Sequence, residues 1–146
     1  MRINAGIDVK TLTDEHLLAE HREIHMLPYF VKKAKESGSI NKVPSKFTLG
    51  EGHILFFTNK VGYVLKRYDR VHQECLRRGF NVKDYRKDLE TVNDGNDYCV
   101  DYNDVQTIVS RIWDRITHSP KKTWHLHGEK ISPYEAQTLI ESNNWY

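Results

Sequence analysis

His16, Glu20 and Glu23 stand at i, i+4 and i+7, so a helix through them turns an imidazole and two carboxylates to one side. A carboxylate placed there can stabilise developing positive charge and move protons. Further on, Arg111 and Arg115 are four residues apart, which on a helix sets two guanidinium groups one turn apart, where they can grip neighbouring points of an anion. Taken alone, both patterns also describe ordinary solvated helix faces. Glu20 is read as structural, and His16 either belongs to the site or only bridges its helix to the N-terminal segment.

The elements that must position these groups are helical. A helix is expected over 13–38, with Thr13 as N-cap, Asp14 and Glu15 in its first turn, and a stripe of Leu17, Leu18, Ile24, Leu27, Val31 and Ala34 turned inward. Pro28 should kink it near its middle, and Gly38 should stop it. A second helix runs from an Asn59 cap to Gly79, apolar through Val61, Val64, Leu65, Tyr68, Val71, Cys75 and Leu76; its other face carries Lys66, Arg67, Arg70, Arg77 and Arg78, in solvent or against an anion. A third spans about 104–118 with Val105, Ile108, Val109, Ile112, Trp113 and Ile116 inward. Ser132-Pro133-Tyr134-Glu135 combines a capping box with Pro in the first turn and predicts a short helix to about Ser142. The stretch 39–58 and the acidic stretch after it read as loops. The expected fold is therefore all-α: a compact single domain over 1–146, with three main helices packed around Phe56, Phe57, Tyr68 and Trp113, long loops and a short C-terminal helix.

Composition narrows the partner. The 146 residues hold 22 Lys and Arg against 20 Asp and Glu, a net charge of only +2, yet the charge is segregated. Residues 60–87 carry nine basic and three acidic side chains, hence +6, whereas 88–104 carry six acids and no Lys or Arg, hence −6. Local field rather than net charge attracts phosphate, so this asymmetry hints at an anionic partner. No apolar run reaches the ~18 residues of a membrane span and the start lacks a signal-peptide core, so no membrane partner is expected and the cytoplasm is the expected compartment. Cys75 and Cys99 form neither a close pair nor a zinc pattern and read as buried free thiols. His118, His125 and His127 lack a carboxylate or Cys to complete a ligand set, so no metal is expected.

Arg2-Ile3-Asn4, His16-Leu17-Leu18-Ala19-Glu20-His21-Arg22-Glu23, Pro44-Ser45-Lys46-Phe47-Thr48-Leu49, Gly52-His53-Ile54-Leu55-Phe56-Phe57 and Lys66-Arg67-Tyr68-Asp69 together resemble the pyrimidine-dimer DNA glycosylases with AP-lyase activity of bacteriophages and large algal viruses. The likeness continues from Glu74 to Asp84, from Arg111 to Ile116 and from Pro120 to Trp124; residues 131–146 look like an addition. The resemblance implies double-stranded DNA with damaged bases as the partner, no cofactor, and a monomer needing no protein partner. It implies catalysis by the α-amine of the first residue, which attacks the sugar C1′, releases the base and forms an imine that allows β-elimination. It also implies Glu23 as the catalytic carboxylate, with Arg2, Arg22, Arg111, Arg115 and His16 on the DNA.

This chain departs from the pattern at several positions. The family exposes a Thr after losing its initiator Met; here Arg2 follows Met1, and a penultimate residue of that size blocks Met removal, so the Met1 α-amine becomes the expected nucleophile. An α-amine suits the task because its pKa of ~7.7–8.0 leaves a neutral fraction that a Lys at ~10.4 lacks, and Arg2 and Arg22 should repel a proton from it. His21 replaces an aromatic, Met26 a basic residue and Glu15 a common Gln, which bears on lesion choice. His125 and Leu126 replace tyrosines after Trp124, in a segment where Lys121, Lys122 and Trp124 resemble a basic and aromatic DNA-contacting tail. Activity on abasic sites or another modified base, or DNA binding without catalysis, are the alternative readings.

Overall fold

The Thr13 hydroxyl accepts a hydrogen bond from the His16 amide (3.2 Å) and starts α1, Asp14–Ile24. The computed structural model describes residues 2–119 and 122–143. Among them the chain forms seven α-helices and one two-stranded sheet, so it is mainly α but not three helices joined by loops. The expected long first helix is two: His25 and Met26 turn the chain, and α2 runs Leu27–Ser37 to Gly38 in the left-handed region at φ 79°. Pro28 lies in the first turn of α2, the one place in a helix where its missing N–H costs nothing, so the chain breaks before the proline instead of kinking at it. The apolar stripe still faces inward across the break, with Leu17, Ile24, Leu27, Val31 and Ala34 buried.

Both expected loops hold helices. In the first, α3 spans Glu51–Phe57 and buries His53, Phe56 and Phe57; α4, Val61–Arg77, follows, and then α5, Arg86–Glu90, inside the charged stretch. Asn59 does not cap α4. Its end is capped from a distance by Asp94, whose Oδ1 accepts from the amides of Val61 (3.1 Å) and Gly62 (3.4 Å), a carboxylate on the positive end of the helix dipole. A side chain at Gly62 would collide with the Asn96 carbonyl at 2.7 Å, so glycine lets the acidic segment lie on the helix.

The charge segregation is therefore largely internal. Lys66 pairs with Asp97 (2.7 Å), Arg86 with Asp69 and Glu90, Arg77 with Glu74, and Arg78 with Asp14 (2.9 Å). Arg67 and Arg78, expected on a solvated face, have side chains no more than 1% exposed. Arg67 grips Glu20 with two parallel bonds of 2.8 and 2.9 Å. Removing one partner of such a buried pair strands the other charge, so Arg67→Met is expected to cost about 3–5 kcal/mol, read as a lowered urea midpoint. An unchanged midpoint would mean that Glu20 is stabilised without Arg67.

Next comes α6, Tyr102–Thr117, opened by a reciprocal Asp101–Asp104 capping box and burying Val105, Ile108, Ile112 and Ile116. Spacings of three and four residues put that stripe on one side and swing Trp113 out to 37% exposure, so it is not a core residue. Among the described residues, Trp124, 1% exposed, is the tryptophan that joins Phe56, Phe57 and Tyr68 in the core. It begins a hairpin the sequence did not suggest: β1, Trp124–Leu126, pairs antiparallel with β2, Glu129–Ile131, in the register Trp124 to Ile131. The turn puts His127 and Gly128 at φ 52° and 81°, the pattern of a tight hairpin turn. Asp14 holds it by accepting both turn amides (3.1 and 2.8 Å).

Finally α7, Pro133–Glu141, starts with the expected Ser132–Glu135 capping box and buries Ala136 and Ile140 against α6. Cys75 is buried but Cys99 is exposed. No described helix is long and apolar enough to cross a membrane.

Candidate active site

The N-terminal segment is part of the core. Ile3, Ala5 and Ile7 are fully buried, and two consecutive amides in it are held by side chains from distant helices. The Ile3 N–H donates to His53 Nε2 (2.9 Å), and the Asn4 N–H donates to Glu20 Oε2 (3.1 Å). The Asn4 amide group then donates to Glu20 Oε1 (2.9 Å) and accepts from Arg111. Four donors, two from Arg67 and two from Asn4, thus fill the Glu20 carboxylate. Burial alone would raise its pKa, but the Arg67 guanidinium and the Asn4 hydrogen bonds outweigh burial and hold it below the usual carboxylate range. Glu20 is a saturated strut with no capacity for proton work.

Glu23, one turn on, is the opposite case. Its side chain makes no hydrogen bond or ion pair with the described residues, yet it faces the same notch of about 40 Å³ that Arg2, Asn4, His16, Glu20, Arg111 and Arg115 line. This space suits a few waters and not a nucleoside, so any reacting sugar must sit at its mouth. Around a free carboxylate the structure therefore gathers three guanidinium groups, an arrangement that can hold an anion while stabilising a cation beside it. Burial, and then the charge of Arg2, lowers the Arg111 pKa to about 10, which leaves it protonated at neutral pH. Arg2 and Arg115 are exposed at the rim.

His16 contributes no charge. Burial and the surrounding Arg111, Lys122, Arg115 and Arg2 bring its pKa down to about 4. Its Nδ1 lies 2.9 Å from the Thr13 hydroxyl, and its ring stacks on Trp124 with centroids 4.9 Å apart and planes 11° apart. A neutral imidazole in that place can exchange a hydrogen bond with a bound group but cannot neutralise a phosphate.

Of the residues singled out in the sequence, Arg2, His16, Glu23, Arg111 and Arg115 converge on this notch. Arg22 is exposed on α1 and does not line it. Met1 and Lys121 lie outside the described residues. A larger hollow of about 530 Å³ between α4 and the acidic segment contains none of these groups.

Several substituted positions have duties away from the notch. Glu15 accepts from the His125 amide and anchors the hairpin. His21 packs against α4, with its Nε2 2.9 Å from His72 Nδ1 and its ring beside Tyr68. Trp124 is buried beneath His16, so its indole is not presented to a base. Met26 is open to solvent, at 44% exposure. Among the described residues no group of three or more His, Cys, Asp or Glu side chains could hold a metal.

Sequence reasoning passed over Asn4, His53 and Arg67 as parts of the site's framework. The one signal for His53 was a polar residue one turn before Phe56 and Phe57 on an inward-facing stretch. A family model described as pyrimidine dimer DNA glycosylase matches residues 1–88; that span includes Arg2, His16, Arg22 and Glu23 and ends before Arg111 and Arg115.

Proposed function

The chain belongs to the pyrimidine dimer DNA glycosylase family, and from that premise we propose that it excises damaged bases from duplex DNA through an imine and then cuts the strand as an AP lyase. The N-terminal α-amine attacks C1′ of the damaged nucleotide; the glycosidic bond breaks and the base leaves with its electron pair, taking up a proton. Loss of a proton from the nitrogen and opening of the sugar give an imine. A proton is then removed from C2′, and the C3′–O bond breaks with departure of the 3′ phosphate. Met1 supplies the amine. Glu23 stabilises the positive charge that develops at C1′ and relays the protons, while Arg2, Arg111 and Arg115 hold the flanking phosphates, with Arg22 on the same strand. The protein acts as a single-domain monomer in the cytoplasm, without a cofactor.

The observation that carries this reading is the pairing of an unengaged Glu23 with an N-terminal segment anchored at two successive amides, both at a cationic notch. Incubation with ultraviolet-irradiated duplex and borohydride is expected to trap a covalent adduct on the N-terminal peptide, located by mass spectrometry. Binding without an adduct would overturn the imine, and an adduct formed with abasic but never with irradiated duplex would overturn the choice of lesion.

A further inference from the structure

We infer that His53 is a positioning residue for the N-terminal nucleophile: by accepting the Ile3 amide it fixes the segment from which the α-amine projects. This rests on the imine reading. The hydrogen bonds determine the tautomer without ambiguity. The Ile3 N–H can only donate, so Nε2 is the bare nitrogen; the Thr48 carbonyl, 3.0 Å from Nδ1, can only accept, so Nδ1 carries the hydrogen. The ring is a rigid plate with its acceptor and donor toward opposite sides, 2% exposed and wedged edge-on by Phe47 (90°) and Phe57 (76°). Burial, more than the nearby charge of Arg111, lowers its pKa to about 4, so the acceptor is available throughout the neutral range.

A Cβ at Gly52 would meet Thr48 Cγ2 at 2.7 Å, so glycine in the first turn of α3 leaves room for the side chain of the residue whose carbonyl faces His53 Nδ1. Chain geometry then does the rest. The α-amine lies two residues upstream of the Ile3 nitrogen, and at ~3.3–3.6 Å per residue its reach from that anchor is about 7 Å. With Asn4 held by Glu20 as well, the segment cannot slide along its own direction. An amine on a loose terminus would have to be ordered at each turnover, whereas an anchored one has that entropy removed in advance.

The test uses His53→Ala and His53→Gln in the full chain, the glutamine restoring an acceptor for Ile3 on a more flexible arm. Imine trapping at saturating irradiated duplex is expected to slow roughly 10- to 100-fold in His53→Ala and to recover in part in His53→Gln, with DNA affinity within about twofold of the native protein. Hydrogen exchange at the Ile3 amide, read without substrate, should quicken in the same order. Should His53→Ala not fold, His53→Gln carries both measurements, with a smaller loss of rate and faster exchange. Faster exchange with unaltered trapping would overturn the positioning role and leave the imine reading intact. Faster exchange in a protein whose native form never traps DNA would instead overturn the imine reading, with the anchor itself established.

Discussion

Glu23→Gln is expected to lose nicking of irradiated duplex by about 10²- to 10⁴-fold, the usual worth of a carboxylate that moves protons in the transition state, while its affinity for the same duplex changes little. The substitution keeps the side chain's length and volume and removes only its charge and basicity. Because Glu23 makes no hydrogen bond or ion pair with the described residues, its change breaks no such contact, and the stability should be nearly native. Glu20→Gln would behave differently: it removes the anion that Arg67 and Asn4 surround, so its damage should be to stability first. Plasmid nicking, duplex binding by anisotropy and a urea melt on the two variants separate a reacting carboxylate from a structural one. Near-normal nicking by Glu23→Gln would take Glu23 out of the chemistry.

The contrast between the two glutamates was only half legible in the sequence. Spacing put His16, Glu20 and Glu23 on one side of a helix, and α1 delivers all three to the notch. What decides their roles is who reaches them from elsewhere. Glu20 is saturated by Arg67, 47 residues away, and by Asn4, 16 residues away; Asn4 is reached in turn by Arg111, 107 residues on. Such pairings follow from the packing of α1, α4 and α6 and have no local pattern.

Elements with their own end signals were readable, as the Thr13 cap, Gly38 and the Ser132–Glu135 box demonstrate. The hairpin was hidden because three-residue strands are too short to display alternation, and of its two turn residues only Gly128 is a usual turn former, the amides of both being held by Asp14 from α1. The charge blocks were legible only as local sums: proximity in sequence implied an outward field, whereas Arg67 and Arg78 are paired with Glu20 and Asp14 of α1, Lys66 with Asp97 of the acidic segment, and Arg77 and Arg86 with near neighbours in sequence or on α4. The surface gathered for an anion is smaller and its cations come from two separate parts of the chain, Arg2 from the N-terminal segment and Arg111 and Arg115 from α6.

Blocking the α-amine is expected to bring both nicking and borohydride trapping down to background while duplex binding stays within about twofold. The imine needs a nitrogen with a free electron pair; acetylation ties that pair into an amide and also prevents loss of the two hydrogens the imine requires. Nothing at the notch can substitute for it. Among the described residues no lysine lines it, and an exposed lysine, with an ordinary pKa of ~10.4, would be almost wholly protonated at neutral pH. The guanidinium groups of Arg2, Arg111 and Arg115 are cations without a usable electron pair and would continue to hold phosphate, so binding should survive. The unblocked protein should trap DNA faster as pH rises from 6 to 8, about tenfold per unit at the acid end and less near an α-amine's pKa of ~7.7–8.0, because protonation removes the nucleophile. Intact mass establishes the modification before each assay. Undiminished nicking by a fully acetylated chain would eliminate the N-terminal amine as nucleophile, and steep nicking losses accompanied by equal losses of binding would mean that the amine contributes charge to the DNA contact and not chemistry to the cut.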